Sequence, residues 1–275
     1  FEAAVWVVAA ALTTPSCRRR TRGWLIGGRH SADASSAAIV SALVGGRRPL
    51  REALSLAERR FRAIPASALC NGDLDASVGG AQLYARSQPT ALGEVDAFVS
   101  HSWHDDGAAK LRALRLWAEE FRIDRGREPN IWLDKACIDQ ATISADLTGL
   151  PIYLCGCQQL LVLVGPSYPR RLWCVMEIFS YLQMGGKRRN IDVLKLENGP
   201  ELRSVLENFQ ITKASCAVEL DRQRLLAAVE ASFGSFLYFN EKVRDIFGGM
   251  KEEATAAELQ GGGDGDEEMG GGVAA

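Results

Sequence analysis

The pattern of apolar and polar positions changes character once along the chain, at Glu94. Beyond it, short apolar runs alternate with stretches that repeat at helical spacing, the signature of a parallel sheet covered on both faces. The strand candidates are residues 95–100, 130–134, 160–165, 190–196 and 214–218. Between the first two, a helix starts at Asp105 or Asp106, either a competent N-cap, and aligns Leu111, Leu114, Trp117 and Phe121 on one face. A second lies within residues 144–159, bent or restarted at Gly149 and Pro151. A third spans 169–184 and stops at Gly185-Gly186. Pro200 opens a fourth, and residues 220–247 supply the remainder before Gly248-Gly249. This alternation predicts one α/β domain over residues 94–249: a flavodoxin-like, doubly wound, parallel five-stranded sheet with helices on both faces.

Residues 1–93 read differently, as an N-terminal helical segment and loop. A helix over 37–44 closes at Gly45-Gly46. The next begins at Pro49, places Leu50, Leu54, Ala57 and Phe61 three or four apart, and ends at Pro65. Residues 66–92, with Gly72, Gly79, Gly80 and Pro89, keep no period and read as a loop. The opening apolar run, residues 1–12, holds Glu2 and is shorter than the roughly 20 residues a membrane span needs, so it reads as a buried helix. Because Phe1 is not an initiator residue, the chain reads as a fragment, and the alternative to a buried helix for this run is a truncated transmembrane end or targeting segment. At the other end, residues 250–275 combine glycine triplets with an acidic cluster, cannot bury a core, and are expected to be disordered.

Composition narrows the partners. With 32 Lys+Arg against 34 Asp+Glu the formal charge is -2, which generates no field to gather phosphate backbones or acidic membranes, so nucleic acid is not an expected partner. Seven cysteines are an odd number in a chain large enough to fold without staples. Several sit in apolar runs, which fits reduced thiols in a cytoplasmic setting.

Three segments carry chemistry. The first is Asp96-Ala97-Phe98-Val99-Ser100-His101-Ser102; the second is Ile131-Trp132-Leu133-Asp134 with the following Lys135-Ala136-Cys137-Ile138-Asp139-Gln140. The third runs from Leu161-Val162-Leu163-Val164-Gly165-Pro166-Ser167-Tyr168 into Arg171-Leu172-Trp173-Cys174-Val175-Met176-Glu177-Ile178. In order and spacing they resemble the first three strands, and the Trp-Cys-x-x-Glu helix, of Toll/interleukin-1-receptor (TIR) domains. The resemblance covers residues 95–186 by motif and extends to about 248 only by element count. All three loops follow the carboxyl ends of candidate parallel strands, the edge where open α/β sheets bind ligands.

That resemblance implies an intracellular signalling domain and makes Glu177 the catalytic carboxylate of NAD+ cleavage at the nicotinamide glycosidic bond, with NAD+ as substrate and no tightly bound cofactor. On a helix Glu177 shares a face with Trp173 and Cys174, while Leu172, Val175, Phe179 and Leu182 face the sheet. The bland reading of Glu177 is an ion pair with Arg170 or Arg171. By the same resemblance Ser100, His101, Ser102, Trp103, Asp134, Trp173 and Cys174 are nucleotide-binding candidates, Trp103 and Trp173 as walls for a ring. Here the sequence departs from the family: His101 and Trp103-His104-Asp105-Asp106 replace the basic residues that some NAD+-cleaving members carry. In the non-catalytic alternative, Lys135, Cys137, Asp139 and Gln140 lie in a loop for self-association or for docking other TIR domains.

Other constellations compete. His101, His104, Asp105, Asp106, Asp134 and Cys137 are metal-ligand types, but no dense ligand motif links them and capping explains the aspartates, so no metal is expected and a metal-dependent hydrolase is the outsider. Cys155, Cys157 and Cys174 sit in apolar surroundings that favour inert thiols. Cys137 beside a histidine has the makings of a nucleophile, without a readable triad.

Overall fold

The computed structural model describes residues 49–75, 81–139, 149–196, 200–216, 218–248 and 251–252. Helix α1 (Leu50–Arg60) leads into strand β1 (Arg62–Pro65); helix α2 (Ala81–Arg86) and strand β2 (Gln88–Pro89) follow. Next come β3 (Val95–His101), α3 (Gly107–Arg125), β4 (Asn130–Leu133), α4 (Asp134–Cys137), α5 (Leu150–Cys155) and β5 (Cys157–Val164). The chain continues through α6 (Leu172–Gln183), β6 (Ile191–Lys195), α7 (Pro200–Glu207), α8 (Glu219–Phe233), α9 (Phe236–Phe247) and β7 (Lys251–Glu252).

These strands form one mixed sheet of order β2-β1-β4-β3-β5-β6-β7. From β4 to β7 all neighbours are parallel, whereas β1 pairs antiparallel with both β4 and β2. The expectation of a purely parallel five-stranded sheet is therefore corrected. Residues before Glu94 are not only helix and loop: Arg62–Pro65 and Gln88–Pro89 extend the sheet, and Ile64 stands opposite Ile131. The expected strand over 214–218 does not form among its described residues, 214–216 and 218. Ser215 makes a single bridge to Arg171, and the fifth parallel strand is Lys251–Glu252, inside the stretch expected to be disordered. The helix expected over 37–44 and the apolar run 1–12 lie outside the described residues.

Alternation along the central strands sorts the two faces. Ala97 and Val99 are in register with Gln159 and Leu161, and Leu161 with Asp192. On that face α3 packs, with Trp117 Nε1 donating to Asp192 at 3.3 Å. The opposite face carries Phe98 and Trp132, whose rings stack at 4.4 Å, and Tyr153 of α5 lies 5.5 Å from Trp132. Helix α6 covers the same side near the strand ends, burying Leu172, Val175 and Phe179. Helices thus cover both faces, as the hydrophobic runs require.

Helix ends follow local chemistry. Asp106, not Asp105, is the N-cap of α3 and accepts from Ala109 N at 2.6 Å; Gly126 ends the helix at φ 66. Asp96, 2% exposed in the middle of the sheet's lower edge, is satisfied by Arg127 at 2.8 and 2.5 Å and by Asn130 N at 2.9 Å.

The Phe98–Trp132–Tyr153 stack lies in the core, and Trp132 is 1% exposed. Trp132→Ala is expected to lower the unfolding free energy by about 3–5 kcal/mol in a urea titration, the usual cost of emptying a large aromatic site.

Candidate active site

Three loops leave the carboxyl ends of β3, β4 and β5, and buried polar bonds tie them together. Ser100 and His101 end β3, Asp134 opens α4 directly after β4, and Gly165 to Arg171 joins β5 to α6. Ser102 Oγ accepts from Ser167 Oγ at 2.7 Å, and Ser167 N donates to Asp105 Oδ1 at 2.9 Å. Gly165 has a close neighbour that explains it: a Cβ there would meet Asp105 Cγ at 2.4 Å.

Glu177 sits on α6 and is partly buried. Its carboxyl bonds to the hydroxyl of Ser100, and Ser100 Oγ lies 2.6 Å from Tyr168 Oη. Tyr168 Oη in turn reaches the Cys174 carbonyl at 3.1 Å. Among the described residues Glu177 makes no ion pair with Arg170 or Arg171. Burial pushes the Glu177 carboxyl well above the usual carboxylate range; the Ser100 hydrogen bond opposes that, and the charge of Asp134 adds to it. The residue opens onto a crevice walled by Leu150, Pro151, Leu154, Trp173, Met176 and Ser180. Its free volume is about 10 Å³, the room of about one water.

A second cluster surrounds Asp134. Its carboxylate accepts from Trp103 Nε1 at 2.6 Å, from Lys135 N at 2.6 Å, and meets His101 Nε2 at 2.9 Å. Burial pushes this carboxyl up, but His101 and the other donors outweigh it and hold Asp134 below the usual carboxylate range. Among the described residues, His101 Nδ1 and Asp105 Oδ2 are buried without a partner.

The nucleotide-binding candidates divide accordingly. Trp173 lines the crevice with Glu177. Ser100, His101 and Ser102 are 0%, 6% and 1% exposed, so their side chains hold the loops together and present little surface to a ligand. Cys174 is buried, donates its thiol proton to His101 O at 3.4 Å, and is pushed well above the usual thiol range by burial. Trp103 and Asp134 belong to the second cluster. In the candidate interaction loop, Lys135 is 1% exposed and its Nζ donates to Asp75 O at 2.5 Å, 5.0 Å from the Trp103 ring centre. Cys137 is buried, and its thiol is pushed up to about 12, which suits neither a nucleophile nor a contact surface. Asp139 is exposed, and Gln140 lies outside the described residues. Among the described residues no three His, Cys, Asp or Glu side chains converge as a metal-holding group.

Lys110 escaped the sequence reading, and Lys135 was expected in an interaction loop and not as a buried lysine. Lys110, 0% exposed, donates from Nζ to Ser102 O at 3.0 Å, and burial lowers its pKa as it does that of Lys135. A signal existed for Lys110, because it stands one turn before Leu114 on the stripe that continues through Trp117 and Phe121. Lys135 carried no such signal.

No protein-family model matches the chain, and neither a curated protein nor a solved structure matches it.

Glu177 also predicts a pH signature. Its folded pKa lies above the unfolded value of 4.5, so the folded state binds the proton more tightly. The stabilisation is complete below that unfolded pKa and is lost as pH rises toward the folded pKa, at a slope of up to about 1.4 kcal/mol per pH unit. Glu177→Gln is expected to flatten this dependence and to raise the melting temperature at pH 7 to 8. Equal melting profiles for both proteins between pH 4 and 8 would contradict the assignment.

Proposed function

We propose that this chain carries a TIR-like signalling domain of flavodoxin-like architecture that cleaves NAD+ at the nicotinamide glycosidic bond, with Glu177 as the catalytic carboxylate. One observation carries the reading: a carboxyl desolvated by burial, with no cation beside it among the described residues, stands beside Trp173 in a crevice near the carboxyl ends of the parallel strands. The strand order supports it too. Numbered within the parallel set, β4-β3-β5-β6-β7 reads 2-1-3-4-5, which changes direction between β3 and β5, where Ser100 meets the loop that leads to Glu177.

The chemistry follows from charge. As nicotinamide departs, the ribose acquires oxocarbenium character, and an ionised carboxylate that lacks a protein cation gains most from a positive charge forming next to it. Burial makes that carboxylate costly before the reaction and favourable during it. Trp173 supplies an aromatic wall for a planar ring. The crevice is far smaller than a dinucleotide, so binding requires the Leu150–Cys155 helix that forms its other wall to shift away from α6. Six free cysteines among the described residues fit the reducing, cytoplasmic setting of such a domain. No described helix is long and apolar enough to cross a membrane.

The narrow crevice favours one second reading, a TIR module that works by self-association, either without catalysis or with a site completed by assembly. In that reading the exposed Asp139 and its neighbours contact a second copy.

Incubation of concentrated protein with NAD+ is expected to release nicotinamide, and Glu177→Gln to reduce the rate at least about 100-fold, a loss typical of removing a residue that acts on the transition state. Equal release from both proteins sinks the catalytic reading. For the second, Asp139→Arg is expected to lower the mass seen by light scattering; a parent protein that stays monomeric at high concentration counts against it.

A further inference from the structure

We infer that Ser100 and Tyr168 are positioning residues for Glu177, forming a hydrogen-bond chain whose direction reverses with the charge on its carboxyl. The inference rests on Glu177 being the reactive group but concerns the protein without substrate. Four oxygens stand in a row: the Glu177 carboxyl, Ser100 Oγ, Tyr168 Oη at 2.6 Å from Ser100, and the Cys174 carbonyl at 3.1 Å from Tyr168. Ser100 and Tyr168 are both 0% exposed, so water does not compete for their hydroxyls.

Counting protons fixes the two states, since each hydroxyl donates once. With Glu177 protonated, its carboxyl donates to Ser100, Ser100 donates to Tyr168, and Tyr168 donates to the Cys174 carbonyl. All three bonds form. With Glu177 ionised, Ser100 turns to donate to the carboxylate, and Tyr168 has one proton for two acceptors, Ser100 Oγ and the Cys174 carbonyl. Two bonds remain. The chain therefore favours the protonated form by one bond, while the Ser100 hydroxyl is the donor that makes the ionised form possible.

The frame is rigid. Ser100 lies in β3 between β4 and β5, and the Tyr168 ring packs edge-on to Phe247 at 6.2 Å. The titratable groups acting on this row are Asp134 from the end of β4, whose charge opposes ionisation of Glu177, and Cys174 and Tyr168, both held neutral by burial. Among the described residues no cation acts on the Glu177 carboxyl; burial sets its titration high, and the two hydroxyls adjust it from there.

The two hydroxyls consequently have opposite effects. Ser100→Ala costs the protonated state two bonds between neutral groups and the ionised state its one bond to a buried charge; losing the donor to that charge outweighs the two neutral bonds, and the Glu177 titration moves to higher pH. Tyr168→Phe costs the protonated state two bonds and the ionised state one, and moves it to lower pH. Each displacement is expected to be about one pH unit, the size of one hydrogen bond at a charged group. Ser100→Thr, which keeps the hydroxyl, restores the parent value.

Infrared difference spectra against Glu177→Gln, on protein labelled at glutamate carboxyl carbons and titrated without NAD+, follow the protonated carboxyl directly. Opposite displacements in Ser100→Ala and Tyr168→Phe support the chain. Displacement in one direction for both, or in neither, overturns it. Tyr168→Phe deletes a single oxygen, so it tests the idea alone if Ser100→Ala does not fold; a shift to higher pH or none is then the overturning result. Nicotinamide release measured on the same proteins separates the two claims: opposite infrared displacements with no release from the parent keep the chain and reject NAD+ cleavage. Where release occurs, the acid limb of kcat follows the infrared titration while KM stays near the parent value.

Discussion

Every residue of Val95–His101 is buried, and this constraint organises the functional end of the molecule. A strand covered on both faces must satisfy each polar side chain from neighbouring elements, because an unpaired polar group in that setting costs on the order of 1–3 kcal/mol. Asp96 solves the problem at one end with Arg127 and Asn130 N. At the other end Ser100 reaches Glu177, and His101 reaches Asp134 through Nε2 but leaves Nδ1 unsatisfied among the described residues; the two partners lie on different elements and opposite sides of the strand. The geometry around Glu177 is thus a consequence of sheet burial as much as of any chemistry performed there.

The same burial explains which loops stay joined. Lys110 reaches the Ser102 carbonyl and Lys135 reaches the Asp75 carbonyl, so each ammonium closes a loop that carries carboxylates. Asp105 reaches Ser167 N in the loop after β5, a contact only a glycine at 165 leaves room for. These bonds fix the strand ends relative to α6. Between α5 and α6 they leave a narrow crevice lined mainly by apolar groups.

Periodicity made the sheet-facing side of α6 legible, because Leu172, Val175 and Phe179 recur at helical spacing in a run with little else to do. It also placed Glu177 beside Trp173. The antiparallel edge was not legible: β1 is four residues long and β2 two, too short to show alternation, and they are held by pairing to β4 and to each other. The expected strand near 214 failed for a related reason. An apolar run there is buried at Ala214 yet makes one bridge, while Lys251 and Glu252, with no apolar signal, take the sheet edge beside β6. In the site, Ser100 and Tyr168 lie 77 and 68 residues from the partners they bond, Glu177 and Ser100, and only the register of three strands brings them together.

Glu177 and Asp134 illustrate how one sheet edge gives two carboxyls different characters. Asp134 has three donors and stays ionised; Glu177 has one hydroxyl and is driven toward its neutral form, partly by the charge of Asp134 itself. Environments that push neighbouring acids apart are the usual basis for dividing roles between them. Here the division assigns Asp134 to structure, because its acceptor sites are taken up by His101, Trp103 and Lys135 N. It leaves Glu177 as the acid whose charge state is still to be determined by what enters the crevice. A neutral occupant leaves the second negative charge unfavourable, and a positive one compensates it. On the proposed reading, an incoming cation, or a ligand that becomes one, is therefore the species that would shift its charge state.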